Sequence, residues 1–344
     1  MVVEEVGRVY PVEGLCAWRP AELVDETRYS TVLAPADVEE IDQAVRAASA
    51  AGMRAEDLES EQDFLLPRFG RLLRRLRSDL EDGLGFCVLR GLPVDRYDVE
   101  ELRLLIMGLL RHVGTPMRQD TKGTLIEAVT DRGLSYDDHR VRGYMTRAEL
   151  TPHCDSGDVV GLLCVRQARM GGASRIASGA SIYNALAAKT PEILEILFRG
   201  FRHNIRGNGP PGDDDVTRHR VPVFCSRDGR ISIRYNFRAM MTAEQLPGVE
   251  PLSEPERRAI ARVAELALDP DLCLEIMLRP GDLQLLDNHA VLHTRTAFED
   301  HPDPRARRLM LRIWVNLPDG RALDDDFADH FNTGPRQPPP LEVA

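Results

Sequence analysis

The sequence predicts a mainly β protein with flanking helices, built on a double-stranded β-helix (jelly-roll) core. Three observations lead there. From about residue 120 onward, short apolar or alternating runs are separated by Gly, Pro and Asp, the punctuation of strands and turns. Within that part, only 180–199 and 253–268 carry a helical period. The residues before about 100 look mostly helical, which suits strands of this number and length enclosed by helices packed outside.

Taken in order, residues 61–82 place Phe64, Leu65, Phe69, Leu72, Leu73, Leu76 and Leu80 on one helical face, and Gly83 and Gly85 stop that helix. GFCVLRGLP follows as a short strand. Asp98 with Glu101 forms a capping box for a helix carrying Leu102, Leu105, Ile106, Leu109 and Leu110. Candidate strands then run at 123–129, 159–166, 174–178, 202–206, 219–224, 231–236, 273–278, 282–287, 290–294 and 308–316. NGPPGDDD (208–215) has the composition of an exposed loop, a kind of segment that often serves as lid or specificity element. The tail PRQPPPLEVA reads as extended or disordered. The expected organisation is an N-terminal helical region at 1–84 packed on the core, a β-rich domain with helical and loop insertions at 85–320, and a C-terminal tail at 321–344.

Composition narrows the function classes. A formal net charge of −11, with no basic block interleaved with aromatics, argues against nucleic acid as a partner. No apolar run reaches the length that spans a bilayer, so no membrane association is expected. The start MVVEEVGRVYPVEG has glutamates where a secretory signal needs a basic region and an apolar stretch, which reads as cytoplasmic. The six cysteines show no C-x-x-C spacing and sit mostly in apolar runs, as free buried thiols do. Only Lys122 and Lys189 are lysine among 44 basic residues, a bias that fits a GC-rich bacterial genome.

The chemistry-bearing residues begin at His153-Cys154-Asp155. On a strand, residues two apart share a face, so His153 and Asp155 can point inward together while Cys154 points away. A third ligand is offered by GDLQLLDNHAVLHTRTAFED, where His293 ends a strand. His289 competes for the role, but Asp287 and Asn288 mark it as a turn position, and His293 is favoured. Two imidazoles and a carboxylate are the set that holds non-haem Fe(II) with open positions. In RRLMLRIWVNLP, Arg308, Met310, Arg312 and Trp314 share one strand face. Arginines on an inward face need an anionic partner, and a dicarboxylate suits the guanidinium fork.

These motifs together resemble the Fe(II)/2-oxoglutarate-dependent dioxygenases of the TauD/TfdA, or taurine dioxygenase-like, family, over most of the chain from GFCVLRGLP to about Leu317. The resemblance implies that His153, Asp155 and His293 bind the iron and that Arg312 clamps the distal carboxylate of 2-oxoglutarate. Ser174, shortly after Gly171-Gly172, assists that carboxylate, and Arg308 lies near substrate or cosubstrate. The acidic insertion FEDHPDPRAR leaves the part of Arg308 less defined than that of Arg312. The cofactors implied are Fe(II), 2-oxoglutarate as cosubstrate and O2; the products include succinate and CO2. Asp155 speaks against halogenation, since related halogenases carry a small residue there. The partner is a small molecule, an amino acid or natural-product intermediate, and a homo-oligomer is compatible with the chain. Arg118, Gln119, Tyr144, Thr146, Ser156 and Asp158 are candidate pocket groups, and 116–122, 142–150 and 206–218 candidate specificity segments. Two rivals stay open: a Zn(II)-dependent hydrolase or lyase on a jelly roll, which has no use for a dicarboxylate clamp, and a binding module of the same fold without turnover.

Overall fold

In the computed structural model, which describes residues 11–138, 141–317 and 319–334, helices lead and strands follow. The proline-rich tail 335–344 and residues 1–10, read above for a leader, lie outside that range. The N-terminal part holds β1 (Ser30–Val32), α1 (Pro35–Ala50), α2 (Phe69–Asp82), β2 (Phe86–Arg90) and α3 (Val99–Arg111). After them come β3 (Thr115–Met117), β4 (Ile126–Val129), β5 (Val159–Arg166), β6 (Met170–Gly171) and β7 (Ser174–Ser178). Next are α4 (Gly179–Lys189), α5 (Pro191–Arg199), β8 (Phe224–Arg227), β9 (Arg230–Ile233), α6 (Phe237–Ala243) and α7 (Glu254–Leu268). The chain closes with β10 (Cys273–Ile276), β11 (Leu283–Asp287), β12 (Val291–Arg295), β13 (Phe298–Glu299), β14 (Leu309–Asn316) and α8 (Asp325–Ala328).

Two sheets carry the architecture. The larger runs β1-β2-β11-β5-β14-β3, with β4 also pairing β14, and the smaller runs β10-β7-β12. Among the described strands, only β1 and β2 pair in parallel. Alternation along each strand separates the layers. On β14, Leu311, Ile313 and Val315 join Leu105 and Leu110 of α3 in one core, while Met310 and Trp314 turn to the other face. That inner face meets Ile176 and Val291 of the smaller sheet in a second core. A third core, including Ala177, Leu292, Ile260 and Val263, packs α4 to α7 behind the smaller sheet. Each fully buried Leu or Ile in these layers contributes roughly 1.5–3 kcal/mol. The space between the sheets is where the site lies.

Several expected elements differ in extent. The helix expected over 61–82 begins at Phe69, because Pro67 pushes Leu66 out of helical geometry. Glu40 of α1 then accepts from the Arg68 and Phe69 N–H groups (2.7 and 3.0 Å) and caps the helix start. Phe64 still enters the core, packed so closely on Gly108 of α3 that a Cβ there would overlap its ring. Leu65 is exposed. The helix expected over 180–199 is two, broken at Thr190-Pro191.

Two expected strands, 202–206 and 219–224, are replaced by isolated bridges, Phe201 to Val221 and Asn204 to Val216. The Asn204 side chain accepts from Arg206 N (3.0 Å), a local bond that competes with sheet pairing. The strand expected to reach 236 ends at Ile233, since Asn236 is recruited as N-cap of α6. His153 and Asp155 lie in no regular strand either; His153 forms single bridges to His293 and Asn236. All six cysteines are free. Among the described residues no helix is long and apolar enough to cross a membrane.

Candidate active site

His153 and His293 exchange both backbone hydrogen bonds (3.0 and 2.9 Å), which sets their imidazoles side by side with centroids 4.4 Å apart. The reach of His293 comes from β12, locked to β7 opposite Ile176. Asp155 is placed by its own N–H, which donates to Asn288 Oδ1 (3.0 Å), while Asn288 donates to Gly157 O (2.8 Å). Cys154 between them turns into the core behind the smaller sheet. The side-by-side alternation expected of a strand is therefore achieved by bridges and an asparagine clamp.

One ligand atom from each of His153, Asp155 and His293 lies within 4.8 Å of the others, a group that could hold a metal ion. His153 Nδ1 sits 2.8 Å from Thr151 O, so that nitrogen carries the proton and Nε2 keeps its lone pair. Burial, reinforced by His153, drives the His293 pKa down to about 3, and burial likewise lowers that of His153. Burial would raise the Asp155 carboxyl, but Arg312, His293 and His153 hold it below the usual value. The trio is two neutral imidazoles and an ionised carboxylate. His289 stands elsewhere: its Nε2 lies 2.8 Å from Asp158 Oδ1, and Leu317 N donates to the other Asp158 oxygen (2.7 Å).

The two arginines of β14 and its entrance behave differently. Arg312 is already committed: Nε donates to Gln119 Oε1 (2.8 Å), Nη1 reaches Asp155 Oδ1 (3.3 Å), and the guanidinium lies over the rings of Tyr144 and Trp314 (4.9 and 4.7 Å). Arg308 lies over Phe298 (5.2 Å) with a buried Nη1 that has no partner. Beside it, Gly171 and Gly172 adopt left-handed φ of 73° and 77°, and a Cβ on Gly172 would stand 3.2 Å from Arg308 Nε. The glycine pair thus lets the guanidinium pass close to the backbone leading to Ser174. Ser174 donates to Gln284 Oε1 (2.9 Å), whose Nε2 is also unpartnered. Arg295, unremarked in the sequence, donates to Thr146 O (2.9 Å) and Ala148 O and lies over Phe298 (4.6 Å).

A cavity of about 200 Å³ opens over these groups. Tyr144 and Ser156 line it as expected; Gln119, Thr146 and Asp158 act from behind, on Arg312, Arg295 and His289, and Arg118 is absent from the lining. Segment 116–122 therefore supports the site without lining it, whereas Arg142, Gly143, Tyr144 and Leu150 of 142–150, and Arg206 and Asn208 of 206–218, do line it. His330 and Phe331 form part of the wall, a position no local pattern in the sequence signals.

Residues 46–314 match the family described as taurine catabolism dioxygenase TauD, TfdA family. The FR-33289 synthase of Streptomyces rubellomurinus (strain ATCC 31215) is 32% identical over 326 residues, 93% of this chain and 94% of that protein. Two solved structures share the fold. An asparagine oxygenase in complex with Fe(II), 2S,3S-3-hydroxyasparagine and succinate superposes with a TM-score of 0.66 at 20% identity, covering 84% of this chain and 94% of that one. The non-heme iron oxygenase OrfP in complex with Fe and alpha-ketoglutaric acid gives a TM-score of 0.62 at 19% identity, covering 83% and 94%.

Proposed function

Because the chain belongs to the taurine catabolism dioxygenase TauD, TfdA family and is a non-haem iron, 2-oxoglutarate-dependent oxidoreductase, we propose that it hydroxylates an unactivated C–H bond of a small molecule, an amino acid or natural-product intermediate. Overall, substrate, 2-oxoglutarate and O2 give hydroxylated substrate, succinate and CO2. The single observation that carries this reading is the convergence of His153, Asp155 and His293 beside an unpartnered, buried arginine nitrogen. The donor set fits Fe(II), two imidazole lone pairs and one carboxylate on one face. Bound iron and 2-oxoglutarate supply the oxidising power; the protein supplies binding, orientation and exclusion of water.

We read the two sheets as the halves of a double-stranded β-helix, with the ligands on its inner walls. His153 is fixed by Thr151 and Asp155 by Asn288, so ligand geometry is set before any metal arrives. In this reading, the far carboxylate of 2-oxoglutarate is received by Arg308 with Ser174, and Arg312 steadies Asp155. The division follows from occupancy: Arg312 already has Gln119 and Asp155, and Arg308 Nη1 has nothing. This reverses the order of importance given to the two arginines from sequence. The asparagine oxygenase complex with hydroxyasparagine and succinate supports a hydroxylation outcome for a small polar substrate. The zinc hydrolase or lyase rival is set aside, since it leaves Arg308 without a ligand and the family is one of dioxygenases. Succinate release with Fe(II), O2 and a panel of amino acids and pathway metabolites tests the reading. No stoichiometric iron binding and no succinate with any substrate would overturn it.

A further inference from the structure

One wall of the cavity carries positive charge that the metal and 2-oxoglutarate leave unused. Arg142, Arg206 and Arg238 all line it. Arg206 has a left-handed backbone (φ 53°), a conformation that costs energy in a residue with a side chain and that clusters at functional sites. Its Nε is buried without a partner. Arg142 donates to Gln119 O (2.9 Å) and Asn208 Oδ1 (2.8 Å). Arg238 donates to Val141 O (2.9 Å) and Asp138 O, and lies over the Tyr136 ring (4.3 Å). All of these acceptors are uncharged. Burial, then Arg238 and Arg142, pushes the Arg206 pKa down to about 10, which leaves it charged at neutral pH.

Among the described residues lining the cavity, Asp155 is the only carboxylate, and it faces Arg312 and the two imidazoles. Among the described lining residues no further acid faces these three guanidiniums or stands ready for the ammonium of a free amino acid. Half-buried cations clustered in this way are stabilised by an anion among them. A planar carboxylate has two oxygens to offer; a tetrahedral phosphoryl group has three and more charge, matching forks that arrive from three side chains. Gln119 ties this wall to the reacting centre, because its carbonyl accepts from Arg142 and its side chain holds Arg312.

We infer that Arg142, Arg206 and Arg238 bind a phosphoryl dianion on the substrate, a phosphate monoester or a phosphonate, and so orient the carbon to be hydroxylated. The inference deepens the proposed function and rests on it for the identity of the reaction. It is tested by isothermal titration of the full chain, without oxygen, saturated with Fe(II) and 2-oxoglutarate, using ethyl phosphate, propylphosphonate, inorganic phosphate and butyrate. The phosphoryl probes bind and butyrate binds at least about tenfold more weakly, a difference of one charge-assisted bond. The tighter of ethyl phosphate and propylphosphonate identifies the source. Arg206→Gln and Arg142→Gln each weaken the phosphoryl probes by at least about tenfold, Arg206→Lys by less, with 2-oxoglutarate affinity and the melting curve unchanged. Butyrate binding as tightly as the phosphoryl probes, or undiminished phosphoryl binding in both folded Gln variants, overturns the inference. A separate titration with 2-oxoglutarate alone separates the two ideas: absent 2-oxoglutarate binding counts against the proposed function, and Arg206-dependent phosphoryl binding, measured without iron and cosubstrate, stands independently of it.

Discussion

Replacing Arg308 with lysine keeps the positive charge but removes the planar fork, and the buried Nη1 that has no partner in the protein disappears with it. The backbone is unaffected by this change, since Arg308 N still donates to Asp300 Oδ1 (2.7 Å) and its carbonyl still accepts from Thr130 (2.9 Å). On the proposed reading, what is lost is a charge-assisted bond to the far carboxylate of 2-oxoglutarate, about 1.5–3 kcal/mol. That corresponds to a dissociation constant raised roughly 10- to 150-fold. The measurement is a titration of the Fe(II) protein with 2-oxoglutarate in the absence of oxygen, with iron affinity recorded separately. Arg312→Lys should show the opposite profile. It gives up the Gln119 bond and the contact that keeps the Asp155 carboxyl ionised, so iron binding suffers first. Weakened 2-oxoglutarate binding in Arg312→Lys with normal binding in Arg308→Lys would refute the reasoning and return the clamp to Arg312.

His153→Ala and His293→Ala should each abolish iron binding while leaving the melting temperature nearly unchanged, read by metal analysis and circular dichroism. His289→Ala should keep iron but lose about 1–3 kcal/mol of stability, because buried Asp158 loses one of its partners; denaturant titration checks this. The Cys164 and Cys87 thiols, pushed up by burial from 9.0 to about 12, should resist alkylation at pH 8 until the protein unfolds. For these thiols the sign is that stability is intact below about pH 9 and falls towards pH 12, as the unfolded chain sheds protons that the folded chain retains. Removing residues 209–214 should cut catalytic efficiency with the true substrate, and proteolysis near 206–218 should slow when that substrate binds with Fe(II) and 2-oxoglutarate.

Short, largely buried runs set off by turn residues were readable as strands from sequence to the residue, as at 159–166 and 174–178. At 202–206 the Asn204 amide and the left-handed Arg206 redirect a chain whose apolar content alone suggested pairing, and 219–224 keeps the bridge of Val221 to Phe201. At the site, chemistry was more legible than geometry. The spacing of His153 and Asp155 announced a common face, but the clamp from Asn288 that creates that face without a strand is a long-range hydrogen bond that no local pattern encodes. The division of labour proposed for Arg308 and Arg312 turns on Gln119 and on the passage opened by Gly172, contacts that no local pattern encodes. His330 and Phe331 come from a stretch with no periodicity at all.

Asn332 is a small residue with a large reach. Its amide donates to the carbonyls of Asp213 and Val216 (2.9 and 2.8 Å), and its oxygen accepts from Arg218 N (2.7 Å). The loop it grips runs back through Ile205 and Gly207, whose N–H groups bond to Asp215 and Asp214 O, to the turn that bears Arg206. A single amide far along the chain thus steadies the turn that bears Arg206, a part of the cavity wall that Asn332 does not itself line.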